Sequence, residues 1–505
     1  MKYLAIILSG CVGFISLSQE ILWVRLVSFA HHSIPQTFSL VLGLFLLGIA
    51  IGAVLGRRIC ERDGDLVIAC AWLLLVSALL DSAVPSLWSF FSGSWAEFAV
   101  MELLIVGTAL LKSSLFPIVH HLGSLGSRQG LGLSVSLVYF ANIVGSTLGP
   151  LFTGFFLLDH VGLEQAYILI GAGDLLLAAG CFSTTGKRTV AGLTAVAAPV
   201  VVLCLWHSDT LVPAMIGKRA KFIIENRHGI IHVLDGGNQG DVVYGGNVYD
   251  GRVNTSLKIN SNGVQRVYIL AALQPTPKRI LVIGLSTGAW TRILSAFQGV
   301  EQIDVVEINP GYVELIRKYP EVSGILADPR IHIMFDDGRR WLKRNPTATY
   351  DLIVMNTTLH WRNYTSNLLA IEFMRQLRGH MNPGAILALN GTGSMDAFRT
   401  TAEAFPYATM FSNFILAGDH DIRLGLQGGF DRIAAMKWGD MPVFDLNDKR
   451  DVSAIRGVLG ENFLSFATIQ GRGDRTYEII TEQNMLTEYK YGTGVVGLGL
   501  PTGSR

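Results

Sequence analysis

Up to about Trp206 the chain consists of apolar stretches, most of them near the length that crosses a bilayer as a helix, about 20 residues. This constrains the fold more than any other feature. The stretches run over 4–30, 37–56, 66–90, 97–119, 131–158, 165–182 and 190–206. Gln19, Glu20 and Arg25 interrupt the first, and the seventh is short and rich in alanine. Charged residues make up 16% of the 505, well below the roughly 25% of soluble domains. They are sparse to about Trp206 and of ordinary density after Lys218, so the chain divides into a membrane half and a water-soluble half. The expected divisions are a transmembrane domain over 1–210, a β-segment with a linker helix over 218–275, an α/β core over 276–395 and an extension of it over 396–505. Net charge is +1 and no basic helix occurs, so nucleic acid is not expected as a partner. The 5 cysteines, Cys11, Cys60, Cys70, Cys181 and Cys204, lie in the apolar half without CxxC or Cys/His spacing, so neither a metal site nor a disulfide framework is expected.

Gly48, Gly52 and Gly56 lie four residues apart and make a smooth helix face that lets another backbone approach. Gly145, Gly149 and Gly154 suggest the same in the fifth stretch, with a kink at Pro150. Glu20 and Arg25 fall near the end of the first stretch, where snorkelling to the interface accounts for them. Asp81 and Asp174 call for the same caution before a functional role is read into them. Leu8-Ser9-Gly10-Cys11 has the letters of a lipoprotein cleavage box, but so short an apolar stretch precedes it that an ordinary helix is the better reading. Arg57, Arg58, Arg62, Arg128, Lys187 and Arg188 fall in alternate loops on the side of Lys2, which makes that side cytoplasmic. Seven crossings would then put the soluble half outside. A cytoplasmic soluble half requires that the first or seventh stretch not cross, and this is the expectation adopted.

From Lys218 the pattern changes. Residues 222–225 and 230–234 read as a hairpin around His228-Gly229, residues 235–240 as a turn-rich loop, and 262–273 as a helix before Pro275 and Pro277. Apolar strands follow at 279–283, 302–308, 331–335, 351–355 and 385–389, separated by helices. Such alternation predicts a parallel sheet covered by helices, a Rossmann-like layer that binds ligands at the carboxyl ends of its strands. Three of those ends carry suitable chemistry. Gly284-Leu285-Ser286-Thr287-Gly288 forms a tight turn that a ligand can approach closely. Glu307, about 20 residues further on, can accept both hydroxyl protons of a ribose. Asp336-Asp337-Gly338 offers a carboxylate to an adenine amino group. The glycine loop is not GxGxxG, so a nucleoside fits better than a dinucleotide. The fourth strand ends in Asn356-Thr357-Thr358-Leu359-His360, where His360 is a candidate general base and Asn356 could orient an acceptor.

Over roughly 222–393 these residues resemble the spermidine synthase family of polyamine aminopropyltransferases, in particular its membrane-fused bacterial form. Gly229 to Gly236, followed by Gln239, looks like the family's amino-terminal β-segment. Tyr268 falls where the family has a substrate-contacting tyrosine. Ile283 to Gly288 resembles its nucleoside loop, Val306-Glu307-Ile308-Asn309 its ribose-binding strand end, Asp336-Asp337-Gly338 its adenine-side motif, and Asn382-Pro383-Gly384-Ala385 the turn before its next strand. The resemblance implies donor-binding roles for Gln239, Tyr268, Gly284, Ser286, Thr287, Gly288, Glu307, Asp336, Asp337 and Gly338. The departures are equally specific. Thr287 stands where the family has an Asp that holds the donor's amine. Asn356 and Leu359 stand where it has the two Asp residues that deprotonate and bind a cationic acceptor.

The resemblance implies a membrane-anchored transferase with S-adenosylmethionine or decarboxylated S-adenosylmethionine as co-substrate, aminopropyl transfer by family default, and an acceptor that is not a standard polyamine. Methyl or other alkyl transfer is the alternative, and a non-catalytic adenosyl-metabolite sensor controlling the membrane half is a reading of a different class. A nicotinamide oxidoreductase keeps Glu307 but lacks the phosphate loop. Expected partners are the lipid bilayer and a small-molecule or membrane-associated acceptor, and a homo-oligomer is allowed. The segment 481–492 resembles the closing segment of membrane-fused relatives and is assigned no chemistry.

Overall fold

The computed structural model describes residues 1–125, 131–206, 209–470 and 476–490. Arg128 and the last two residues of the 481–492 segment lie outside these. The chain separates into a membrane unit, Met1–Arg219 with Glu225–Gly229, and an α/β unit, Ala220–Ile224 with the residues from Ile230 onward.

The membrane unit is helical. Helices α1 (Lys2–Ala30), α2 (Gln36–Cys60), α3 (Leu66–Phe91) and α4 (Glu97–Ser124) come first. α5 (Leu131–Phe152) runs through a π-helical stretch, Thr153–Leu157, into the short α6 (Leu158–His160). α7 (Leu163–Thr184), α8 (Arg188–Leu205) and the short α9 (Leu211–Ile216) complete it. Among the described residues, six helices are long and apolar enough to cross a bilayer: α1 to α4, the run 132–160, and α7. The sequence suggested about seven. α8 is apolar too but is shorter than these. It still packs along α7 from end to end, and the Gln165 side chain in the first turn of α7 donates to the Trp206 carbonyl. π-Helix begins three residues after Pro150, the position at which the sequence suggested a kink.

The small residues close the bundle. A Cβ on Gly48 would lie 2.6 Å from the Val106 carbonyl oxygen of α4, and side chains at Gly52 and Gly56 would strike the Leu110 and Ser114 carbonyls. Gly145 and Gly149 press in the same way on the α1 carbonyls of Gly10 and Phe14. A Cβ on Gly154 would meet nothing within 4 Å, so no close approach depends on this glycine. Cys11 lies inside the unbroken α1. Arg25 donates to the Asn226 and Gly229 carbonyls, at 2.6 and 3.1 Å. Asp81 and Asp174 are not interfacial. Each lies near the middle of its helix and is fully buried, and Lys112 of α4 joins them.

The α/β unit begins with a four-stranded sheet in the order β1 (Phe222–Asn226), β2 (Gly229–Leu234), β3 (Val242–Gly245), β4 (Val248–Arg252). α10 (Gln265–Leu273) follows, with every residue but Gln265 buried. The main sheet then alternates with helices: β5 (Arg279–Ile283), α11 (Ala289–Leu294), β6 (Gln302–Glu307), α12 (Gly311–Arg317), α13 (Pro320–Ser323), β7 (Ile331–Phe335), α14 (Gly338–Arg344), β8 (Tyr350–Met355), α15 (Ser366–Leu369), α16 (Ile371–Gly379) and β9 (Met381–Asn390). These five strands are parallel, in the order β7-β6-β5-β8-β9. The order reverses between β5 and β8, and ligands of such sheets bind at the crevice this leaves. β10 (Tyr407–Phe411), β11 (Phe414–Gly418) and an edge strand Phe463–Ser465 extend the sheet antiparallel beyond β9. Apolar residues cover both faces, as the continuous apolar runs of β5, β6 and β8 require.

Candidate active site

The crevice between β5 and β8 is built on backbone. Asn356 N–H donates to the Ile283 carbonyl at 2.8 Å, locking the two strand ends together. Gly284 follows at φ +92°, and a Cβ there would meet the Asn356 carbonyl oxygen at 2.5 Å. Ser286 (φ +48°) and Gly288 (φ +75°) also occupy the left-handed region, so the loop curls back on itself before α11. The curl exposes backbone N–H groups, and Glu307 collects them. Its carboxylate accepts from Leu285 at 2.7 Å, from Asn309 at 2.8 Å and from the Ser286 backbone. Burial nevertheless pushes the Glu307 carboxyl up to about 7, with Asp250 adding repulsion. Glu307 therefore organises the glycine loop. Each of its oxygens still has a lone pair for a ribose hydroxyl.

The Asp336 motif is tied into a helix start. Asp337 caps α14 by accepting from the Arg340 N–H at 2.9 Å. Asp336 accepts from the Asp337 N–H at 2.8 Å and pairs with Arg340 and Arg344, which hold its carboxyl below the usual range. A Cβ on Gly338 would lie 2.9 Å from Ile283 Cγ2, so only a small residue lets α14 start against β5.

A cavity of about 180 Å³ opens beside this loop. Tyr249, Asp250 and Gly251 of β4, Asn262, Arg266, Trp290, the segment 356–359, Asn390, Thr392 and Asn413 line it. Asn356 is the one expected site residue among them, and Leu359 lies on the same wall. His360 sits just behind, its Nδ1 3.1 Å from Thr392 Oγ1 and 3.2 Å from the Thr392 carbonyl. Burial lowers its pKa, so the imidazole is neutral at pH 7 and able to take a proton. Thr287 is buried, and its hydroxyl accepts from the Ala289 N–H at 3.3 Å. Of the other expected residues, two are placed away from both the glycine loop and the cavity. Tyr268 is fully buried against Phe444 and donates to the Thr255 carbonyl at 2.8 Å. Gln239 is exposed in a short turn of helix.

Two charged residues that line this cavity, Asp250 and Arg266, carry no sequence motif, and a third, Arg362, lies near them. Asp250 is half-buried, its carboxyl raised by burial, beside Ser286 and the Tyr312 hydroxyl. Arg362 lies within electrostatic reach of Asp250 and Tyr312. Arg266 is stacked over Trp290 and Phe414, at 5.1 and 5.0 Å from the ring centres. It donates to the Gly263 carbonyl, the Asn262 carbonyl and Asn413 Oδ1 at 2.8, 3.0 and 2.7 Å. Burial lowers its pKa to about 10, which leaves it a fixed cation at neutral pH. The wall thus combines one shielded carboxylate with guanidinium and amide groups.

The Spermine/spermidine synthase domain family model matches residues 268–397. Polyamine aminopropyltransferase 2 of Streptomyces coelicolor is 26% identical over 399 residues, covering 74% of this chain and 71% of that protein. The polyamine aminopropyltransferase of Mycobacterium tuberculosis H37Rv is 24% identical over 372 residues, 70% of each chain. That of Streptococcus pneumoniae TIGR4 is 31% identical over 159 residues, 30% of this chain and 55% of its own length. A solved spermidine synthase from Thermotoga maritima superposes with a TM-score of 0.36 at 18% identity, covering 41% of this chain and 75% of that one.

Proposed function

From the premise that the chain belongs to the spermidine synthase/polyamine aminopropyltransferase family, we propose that it is a membrane-anchored transferase whose acceptor is less cationic than a polyamine. The donor is a sulfonium nucleoside, decarboxylated S-adenosylmethionine by family default. Glu307 takes the ribose hydroxyls and the loop 284–288 cradles the nucleoside. An acceptor nucleophile attacks the carbon beside the sulfonium. The carbon–sulfur bond breaks, its electron pair leaves on sulfur as a neutral thioether, and His360 receives the acceptor's proton.

The make-up of the cavity wall carries this reading. The resemblance puts two carboxylates at the positions of Asn356 and Leu359, and both of these residues line the cavity together with the buried Arg266. An amide and a leucine provide no counter-charge for a diammonium acceptor, and a fixed guanidinium opposes one. A neutral or anionic acceptor suits this wall.

Full-length protein in lipid, given donor labelled in the aminopropyl group or in the methyl group, tests the proposal. Transfer of aminopropyl label to a neutral or acidic amine, with putrescine inert, is the expected result. Efficient turnover of putrescine would overturn the acceptor assignment, and methyl label in product would move the reaction to methyl transfer. The Asn356→Asp/Leu359→Asp double variant should gain diamine turnover by at least tenfold if those two positions set acceptor charge. Loss of both carboxylates also favours the second reading, a sensor of an adenosyl metabolite, and donor binding without transfer in any membrane extract would select it.

We propose that the α/β unit lies on the cytoplasmic side, where such donors are made. Six crossings return the chain to the side of Lys2 and of the basic loops.

A further inference from the structure

The membrane unit carries a polar cluster for which transfer chemistry has no use. Asp81 of α3, Lys112 of α4 and Asp174 of α7 meet near the middle of their helices, each no more than 1% exposed. The Lys112 ammonium has three hydrogens. Its acceptors are Gln19 Oε1 at 2.8 Å, Ser77 Oγ at 3.0 Å and Asp81 Oδ2. Gln19 also donates to Asp81 Oδ1, and Ser77 leans on Asp81 Oδ2 at 3.4 Å. Asp174 is held more loosely than Asp81: its Oδ2 lies 3.3 Å from Lys112 Nζ, and Ser77 and Asp81 are within reach of its carboxyl.

A second observation points the same way. The hydroxyl of Tyr167, also on α7, is fully buried, lacks a partner among the described residues, and lies within electrostatic reach of Asp81. The surrounding helices bring no further charge. α1 contributes Gln19, with Glu20 outside the cluster. α2 and α5 hold no acid or base between their ends, and Trp23 donates to Thr108 at 3.2 Å. Two carboxylates against one ammonium leave one uncompensated negative charge at bilayer depth, where it is costly. One added proton removes the charge and can be shared between the Asp174 and Asp81 carboxyls, which lie within hydrogen-bond reach of each other.

We propose that Asp174, Asp81 and Lys112 form an exchangeable proton-binding site inside the helical bundle. A site of this kind serves a proton-coupled transport step and is superfluous in a passive anchor. It lies wholly within the membrane unit and does not rest on the transferase reading.

Infrared difference spectroscopy of the full-length protein in lipid vesicles tests it. At neutral pH the wild type should show the carbonyl stretch of a protonated carboxyl. The band should shift in heavy water, vanish reversibly in alkali and be absent from Asp174→Asn. Glu307 and Asp250 carry protonatable carboxyls in the other unit, so all spectra are taken in a Glu307→Gln background, and the wild-type-minus-Asp174→Asn difference isolates the site. Should Asp174→Asn fail to insert, Asp81→Asn replaces the acceptor and should shift the band without removing it. A difference spectrum without the band at neutral pH, a band that does not exchange, or one indifferent to both substitutions would overturn the proposal.

Discussion

Glu307 shows how one side chain can serve both fold and ligand. Its carboxyl, raised to about 7 from 4.5, is more easily protonated folded than unfolded. Its contribution to stability is therefore complete below pH 4.5 and is lost as the pH rises through 7, at a cost of roughly 3 kcal/mol. Thermal unfolding without ligand should show this decline between pH 5 and 8, and Glu307→Gln should flatten it. Ionised Glu307 is the form that accepts ribose hydroxyls, so donor affinity measured by calorimetry should rise across the same interval, and Glu307→Ala should abolish binding. His360 behaves differently. With its pKa lowered, turnover should be flat above neutrality and fall in acid. His360→Ala should cut turnover by about 10² or more while sparing donor binding, as for loss of a general base; unchanged turnover would remove His360 from the mechanism. Glu307, Gly284 and Gly288 were legible in the sequence because the strand-loop-strand spacing that carries them is local. Asp250, Arg266 and Arg362 were not. Asp250 and Arg266 reach the cavity from β4 and from the start of α10, Arg362 approaches Asp250 from the loop after β8, and only tertiary closure brings them together.

At the scale of elements, short apolar runs marked β5, β6, β8 and β9, since a strand buried on both faces needs no alternation, and the half-exposed edge strand β7 was marked by its place in the alternation of strands with helices. β3 and β4 escaped because Gly245-Gly246 and the polar Tyr249-Asp250 read as loop. In the membrane unit the glycine faces were legible and Lys112 was not, since one cation in an apolar run has no partner visible in sequence. The Gly48/Gly52/Gly56 face gives a graded prediction. Gly52→Val drives a side chain into the Leu110 carbonyl and Ser113, and a rigid branched group cannot retreat. Overpacking costs about 1–3 kcal/mol or more, so the yield of folded protein in mild detergent should fall sharply. Gly43 lies on the same helix with nothing within 4 Å, and Gly43→Ala should match the wild type. Equal yields from the two variants would mean that α2 and α4 are not packed through this face.

For the whole molecule, the side of the bilayer on which residue 219 emerges links the helical unit to the chemistry. A sulfonium nucleoside made in the cytosol reaches the α/β unit only if the chain returns to the side of Arg57, Arg58 and Arg62. Six crossings do this. The packing of α8 along α7 pulls the other way, for at 18 residues α8 is about 27 Å long and falls just short of a bilayer core of about 30 Å. Charge and donor supply favour a helix that lies against the bundle without completing a seventh passage. Arg62→Cys and Arg219→Cys, each in a background whose native cysteines are replaced, decide between these with a membrane-impermeant maleimide. Both should label only after the cells are opened. Labelling of Arg219→Cys in intact cells, with Arg62→Cys protected, would make α8 a true span and put the α/β unit outside. The cytosolic donor would then be out of reach, and the transferase reading would fail even with Glu307, Asn356 and His360 in place. The proton site would stand, because Asp81, Lys112 and Asp174 lie on three of the six helices whose length and apolarity are sufficient without α8.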